Sequence, residues 1–354
     1  MEKTKSKKQN NIWSILFLIL NIALLCILVA TDEQLQGSAE GFAQFRFSIV
    51  GVAVLAMLLF IAFDVLKIYR LIYYYTKRKE WLLSLRIAII GKYYDGITPL
   101  AAGGQPFQIY QLTKKGINGA HASGIILMKY FVYQMVFCTY GFFCVIYNFA
   151  VGAQLQTLHY ILAILAILIN FAAPFTVFLF ATHENAAQKL LEFVLNLGIK
   201  LRLVKNPEEL KASVHDTVSQ FAVAFDELKK DWRKLLELFA LSFIEIAIYI
   251  VIPFIIYISY NPAVINDLSI FATLMRFSCV YLFVYFVMSI CPLPGGSGAA
   301  EFGFLWMMSI FFNGSSVSIA IVLWRVITYY LPILAGFVYV LKDTIFQFLK
   351  TRSK

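Results

Sequence analysis

Seven mostly apolar runs, each 17–30 residues long, mark this 354-residue chain at 12–30, 47–63, 122–151, 158–182, 235–260, 268–291 and 317–341. About 20 such residues are what a helix needs to cross the hydrocarbon of a bilayer. There, every backbone amide must be satisfied within the protein, which an α-helix does by itself. Composition agrees: the chain is 60% hydrophobic and 14% charged, against about 25% charged in soluble domains. Soluble enzymes, disordered chains and disulfide-stapled scaffolds are excluded. The expected fold class is an all-α integral membrane protein. It would have about eight transmembrane helices if the shorter apolar piece at 299–312 also crosses.

The net charge of +10 would suggest nucleic acid in a soluble protein. Here its distribution reads as orientation. The expected outer loops (31–46, 152–157, 261–267 and 313–316) hold one basic residue, Arg46. The expected inner segments, including 64–92 and 183–234, hold 26 of the 30. Lysine and arginine collect on the cytoplasmic side of membrane proteins, so a multi-pass cell-membrane protein with both termini cytoplasmic is expected, and no DNA partner. The first run follows Lys3, Lys5, Lys7 and Lys8, but it is long for a signal peptide, and Thr31-Asp32-Glu33 is a poor cleavage site. Five cysteines without a CxxC and four histidines without an HxxxH pair give no metal site. No cofactor is expected.

The chain reads as one polytopic domain over 1–354: a first half (1–182), an inner segment (183–234) and a second half (235–354). In the inner segment, Asn206-Pro207-Glu208-Glu209 is a helix start. Leu210, Val214, Val218, Phe221, Phe225, Leu228, Trp232 and Leu235 follow at helical spacing, one helix expected to run into the next span. This amphipathic helix either packs on the inner face of the protein or lies in the headgroup region.

Two stretches cannot continue a helix: Thr98-Pro-Leu-Ala-Ala-Gly-Gly-Gln-Pro106 and Cys291-Pro-Leu-Pro-Gly-Gly-Ser-Gly298. The first lies inside an apolar stretch with basic residues at both ends, the pattern of a re-entrant segment. Broken backbone at membrane depth survives where protein or a watery cavity satisfies it. Paired breaks in two halves mark transport-type binding sites. The free N–H groups and dipole of a half-helix can hold an anion, which nominates Gly103, Gly104, Gly295 and Gly296. Alternatively, the glycines serve close helix packing.

Glu245, Arg276, Glu301 and Arg325 are charges within or beside apolar runs, where burial is expensive and usually functional. Each also has a structural reading. Glu301 could cap a helix starting at Gly298, and Glu245 could pair with Arg325. Asp64, Lys67 and Arg70 read as a solvated helix end; Lys92 and Asp95 are ambiguous. No nucleophile–base pair has a recognisable spacing, so no catalytic residue is assigned.

Pro294-Gly-Gly-Ser-Gly-Ala-Ala-Glu301 resembles the Pro-Gly-Gly-x-Gly-x-x-Glu signature of the lysylphosphatidylglycerol synthase/flippase membrane-domain family. Arg325-Val-Ile-Thr-Tyr-Tyr-Leu-Pro332 followed by Gly336 is similar to its last helix, and Pro99–Gln105 to its N-terminal glycine motif. Gln108 and Gln111 stand where that family carries a basic residue after the first motif. Bipartite members pair a membrane domain that moves an aminoacylated lipid with a cytoplasmic domain that transfers lysine from lysyl-tRNA to phosphatidylglycerol. The resemblance implies a stand-alone membrane domain without that synthase domain. Its expected activity is flippase-like translocation of a phospholipid with an anionic or aminoacylated headgroup, such as lysylphosphatidylglycerol. The eight residues Gly103, Gly104, Gly295, Gly296, Arg276, Glu245, Glu301 and Arg325 would bind the lipid. The alternatives are phosphatidylglycerol lysyltransferase activity, with tRNA as partner, or an accessory role beside a separate synthase or envelope enzyme.

Overall fold

The computed structural model describes residues 42–101, 103–151, 156–182, 230–313 and 316–352, together with 223, 226 and 227. The run at 12–30 and the helix start at Asn206 lie outside the described residues; the helix expected to run on from there into the next span is interrupted at Asp231, whose side chain accepts from Lys234 N–H (3.1 Å) and caps a new helix starting at Trp232. All regular elements among the described residues are helical. In chain order they are α1 (Phe47–Thr76), α2 (Trp81–Ile97), α3 (Gly104–Lys114), α4 (Gly119–Ala150), α5 (Thr157–Thr182), α6 (Trp232–Tyr260), α7 (Ile270–Ser289), α8 (Ala299–Met308), α9 (Ser316–Arg325) and α10 (Leu331–Arg352).

Five segments are long and apolar enough to span a membrane: α1, α4, α6, α7 and the continuous stretch Ser316–Lys342. Their outer surfaces carry the lipid-facing side chains this predicts, including exposed Leu55, Phe143, Ile146, Phe149 and Phe271. α1 runs about 45 Å at 1.5 Å per residue, well past the span expected at 47–63. It carries Asp64 and Lys67 into the interior, where both are buried. The expected solvated helix end is therefore corrected for these two residues. The piece at 299–312 forms a ten-residue helix, which at about 15 Å reaches only half-way across a ~30 Å hydrocarbon core.

α7 is the central helix. Residues 277–284 are buried all round, as an element apolar on every face must be. α4, α5, α6 and α8 pack against it, and α1 lies along α6. Phe277, Tyr281, Phe283 and Phe286 fill the core with Phe304 and Trp324. α10 lies on α2; a Cβ at Gly336 would run into Tyr93 of α2, so the backbone contact there needs a glycine.

The two breaks share one design. α2 ends, a 3-10 turn spans Pro99–Ala101, and α3 starts at Gly104. α7 ends, a 3-10 turn spans Pro294–Gly296, and α8 starts at Ala299. In both, the new helix starts five residues after the proline. Leu100 (φ 55°) and Ala101 (φ 52°) therefore correspond to Gly295 (φ 61°) and Gly296 (φ 62°). The similar-looking Gly103-Gly104 pair sits further along, with Gly103 at the position of Gly298. The first break makes a left-handed turn with residues that pay about 1–2 kcal/mol each for it; the second uses glycines, which do not. The two turns pack on each other.

Candidate functional site

At the first break, Thr98 Oγ accepts from Gly103 N–H (2.9 Å) and donates to the Tyr94 carbonyl (2.6 Å). Asp95 Oδ1 accepts from Gly104 N–H (2.9 Å). A Cβ at Gly104 would collide with that carboxylate. At the second break, Glu301 Oε2 accepts from Gly298 N–H (2.6 Å), the reciprocal half of a capping box. Each new helix thus starts against a carboxylate of the chain itself. An aligned helix start favours negative charge, and here protein supplies it. The cap expected for Glu301 is present.

That leaves cations as the donors facing the cavity. Arg325 ends α9, the tenth residue of the helix that starts at Ser316 and about 14 Å along its axis from there. It is 2% exposed. Its Nε donates to Glu301 Oε1 (2.6 Å) and its Nη1 to the Gly295 carbonyl (3.0 Å). Nη2 is buried, with no hydrogen-bond partner among the described residues. A planar guanidinium with two edges fixed presents the third in a set direction. The pairing of Arg325 with Glu245 considered from sequence gives way to two other pairs. Arg325 takes Glu301, and Glu245 takes Lys67. Lys67 also donates to Ser242 Oγ (3.3 Å) and lies over the Tyr133 ring.

Directly after Arg325, residues Val326–Tyr330 form a π-helical turn, the distortion that often marks functional positions in helices. It swings Tyr329 across both breaks. The Tyr329 hydroxyl donates to the Gly96 carbonyl (2.9 Å), and its ring fills the space a Cβ at Gly295 would need. The Arg325 guanidinium stacks over that ring, 4.9 Å from its centroid.

Both breaks open onto a cavity of about 600 Å³, within the 300–1,000 Å³ usual for ligand sites. Gly295, Gly296, Glu245 and Arg325 line it. Glu301 stands behind Arg325. Gly103 and Gly104 are one layer back, behind Asp95, Ala101 and Gln105 of the wall. Arg276 is elsewhere: exposed near the start of α7, its guanidinium lies over Phe311.

Sequence reasoning missed other wall residues. Asp64 pairs with Lys129 (3.2 Å). Lys92, with no ion pair among the described residues, sits 4.3 Å from the centre of the Phe60 ring. Tyr133 and Tyr285 join hydroxyls (3.1 Å), and Gln134 donates to Asn170 (2.7 Å), which donates to Ser289 (2.6 Å). The i, i+3 spacing of Asp64 with Lys67 and of Lys92 with Asp95, and Lys129 inside an apolar run, were the available signals. Reading Lys67 as part of a solvated helix end hides it, and Lys92 stays ambiguous from sequence. Gln108, in the region where a basic residue was expected, is buried and donates to the Ile87 carbonyl (3.0 Å).

Residues 11–336 match the family described as "Lysylphosphatidylglycerol synthase TM region". A UPF0104 membrane protein of Archaeoglobus fulgidus is 22% identical over 266 residues, covering 74% of this chain and 76% of that one. These matches explain the coincidence of two broken hairpins, a glycine–glutamate signature and a buried arginine in one multi-pass membrane chain: it belongs to the lysylphosphatidylglycerol synthase transmembrane-region family, a family of membrane proteins linked to lipid handling.

Proposed function

We propose that this chain translocates phospholipid headgroups across the membrane, with the headgroup held in the cavity between the two breaks. One observation carries the reading. A turn from each half closes onto a single cavity inside the bundle of membrane-spanning helices, Arg325 is part of its wall, and the buried Nη2 of Arg325 has no hydrogen-bond partner among the described residues. Buried charge there is costly and is retained where a polar ligand passes. The phosphate would sit at Arg325 Nη2 rather than at the helix starts, which Asp95 and Glu301 occupy. Tyr329, bonded to one break and packed on the other, is positioned to hold them together while the cavity is closed. The bias of basic residues supports an orientation with both termini in the cytoplasm. A separate synthase that makes the lipid is a compatible partner.

The test is transfer of an acyl-labelled phospholipid in proteoliposomes, read by chemical quenching of the outer leaflet. The wild-type chain should speed transfer over protein-free vesicles. The double variant Glu301→Leu/Arg325→Met replaces the buried pair with apolar side chains and should fold yet lose transfer. Wild-type transfer no faster than in protein-free vesicles, or a double variant as fast as wild type, would sink the reading.

A further inference from the structure

We infer that Lys129 and Tyr133 form a second headgroup station in the cavity, the counterpart of Arg325 and Tyr329 in the other half of the chain. This rests on the transport reading above and adds a site to it. The basis is an inverted repeat defined by the helix contacts.

α1 and α6 run antiparallel. Arg46 N–H donates to the Ser259 carbonyl (2.9 Å), Phe60 lies on Tyr249 (4.9 Å between ring centres) and Arg70 pairs with Glu237. The hairpin of α2 and α3 follows the C-terminal end of α1, and the hairpin of α7 and α8 follows the C-terminal end of α6. Each folds back on itself: Gln108 of α3 reaches the Ile87 carbonyl of α2, and Phe311, just beyond α8, packs on Phe277 of α7. The two hairpins therefore enter the bundle from opposite ends, and their turns meet. A long helical segment follows each, α4 after the first and the α9–α10 stretch after the second. Units of this kind, related by a two-fold axis in the membrane plane, build transporter sites at their interface.

The register between the halves is nearly constant. Pro294 follows Pro99, and Ala299 follows Gly104, by 195 residues; Arg325 follows Lys129, and Tyr329 follows Tyr133, by 196. Each half thus places a cation and, one turn on, a tyrosine on the same helix face. All four residues line the cavity. Each cation is held by a carboxylate of its own half: Lys129 by Asp64 (3.2 Å) and Arg325 by Glu301 (2.6 Å). Each tyrosine hydroxyl reaches the hairpin of the other half: Tyr133 meets the Tyr285 hydroxyl of α7 (3.1 Å), and Tyr329 the Gly96 carbonyl of α2 (2.9 Å). Lys67 and Lys92 share the wall but stand on α1 and α2, outside the repeated position. A lysine ammonium carries three rotatable donors, so Lys129 can keep Asp64 and turn another donor toward a phosphate oxygen.

A phospholipid in one leaflet and the same lipid in the other are related by the same two-fold rotation. A single cation off that axis meets the phosphate squarely in only one of the two orientations. Stations related by the axis offer a cation and a tyrosine to both, and the headgroup passes from one to the other as it crosses.

The test uses the full chain in phosphatidylcholine vesicles with two probes. Acyl-labelled phosphatidylglycerol reads transfer, and phosphatidylglycerol with a photoreactive diazirine on its headgroup maps contacts by peptide mass spectrometry. Wild-type adducts should fall in two clusters, on α4 around Tyr133 and around Tyr329. Asp64→Leu/Lys129→Met, which replaces the pair by apolar side chains, should lose the Tyr133 cluster and keep the Tyr329 cluster. It should slow transfer about tenfold, the factor for one charge-assisted hydrogen bond. Glu301→Leu/Arg325→Met should lose the Tyr329 cluster instead, and Lys129→Arg, which keeps the charge, should retain the Tyr133 cluster. The wild-type map decides the matter even if a variant folds poorly. Transfer without adducts on α4, or a Tyr133 cluster or wild-type rate that survives Asp64→Leu/Lys129→Met, would overturn this inference and leave transport standing. Transfer no faster than in protein-free vesicles would overturn both; if excess glycerol phosphate then removes the adducts, the stations belong to a soluble phosphate.

Discussion

Glu301→Ala is the most informative single perturbation, because Glu301 makes two bonds from one buried position. Its side chain accepts from Arg325 Nε and Gly298 N–H, both at 2.6 Å, and is 4% exposed. Removing it leaves a buried guanidinium with one remaining acceptor, the Gly295 carbonyl. Breaking a buried ion pair by deleting one partner costs about 3–5 kcal/mol, and losing an N-terminal cap about 1 kcal/mol. Together these amount to roughly 5 kcal/mol, a large share of the 5–15 kcal/mol that holds a typical protein folded. For a chain this long the low end of the scale applies, about 2 °C per kcal/mol, so the detergent-solubilised variant should melt roughly 10 °C below wild type. Glu301→Leu/Arg325→Met should recover most of the loss, since replacing both partners by apolar groups removes the stranded charge. The assay is thermal unfolding followed by size-exclusion chromatography. A Glu301→Ala melting point equal to wild type, or a double variant no more stable than Glu301→Ala, would refute the buried-pair reasoning.

Four further outcomes follow from the same geometry. Gly295→Ala forces an L-residue into φ 61° against the Tyr329 ring and should cost at least about 2 kcal/mol, whereas Leu100→Gly relieves φ 55° at an exposed site and should gain about 0.5 kcal/mol, both read by melting point. Lys67→Met should destabilise by about 3–5 kcal/mol, and adding Glu245→Leu should restore most of it in a double-mutant cycle. Arg276→Ala, exposed and away from the cavity, should stay within about 0.5 kcal/mol of wild type and leave transfer intact. A cysteine at Asn313 should react with a membrane-impermeant reagent from outside intact cells, and one at Lys115 only after permeabilisation; the reverse pattern would contradict the assigned orientation.

The helical membrane architecture was legible because apolar run length is a direct physical requirement of the bilayer. The runs at 47–63, 122–151, 235–260, 268–291 and 317–341 each map onto a long helical segment. Both breaks were legible because proline and glycine cannot continue a helix. Their register was not. Matching Gly103-Gly104 to Gly295-Gly296 follows residue identity, but backbone conformation matches Leu100-Ala101 to Gly295-Gly296. No local signal says that a leucine will adopt a left-handed turn. The helix starts were nominated for an anion on sound dipole grounds, yet what fills them depends on Asp95, nine residues before Gly104 and brought back by the hairpin. Charge partners showed the same limit. Glu301 and Arg325 were each suspect from sequence, but their pairing is long-range, as is that of Lys67 with Glu245. Lys67 and Lys92 lie in a stretch rich in basic residues, where a count of charges cannot tell a solvated lysine from one facing a buried cavity.

Occupancy of the shared cavity by a lipid headgroup is the central claim, and a native residue reports on it. Cys291 lines the cavity, while Cys138, Cys144 and Cys279 are buried. In a Cys26→Ser background, the rate of Cys291 modification by the small, neutral reagent methyl methanethiosulfonate can be compared in two kinds of vesicle, one of phosphatidylcholine alone and one also containing phosphatidylglycerol. Modification should be severalfold slower when phosphatidylglycerol is present, and the protection should vanish in Glu301→Leu/Arg325→Met. Equal rates in both vesicles, or protection that survives the double variant, would contradict a headgroup held at Arg325 between the two breaks.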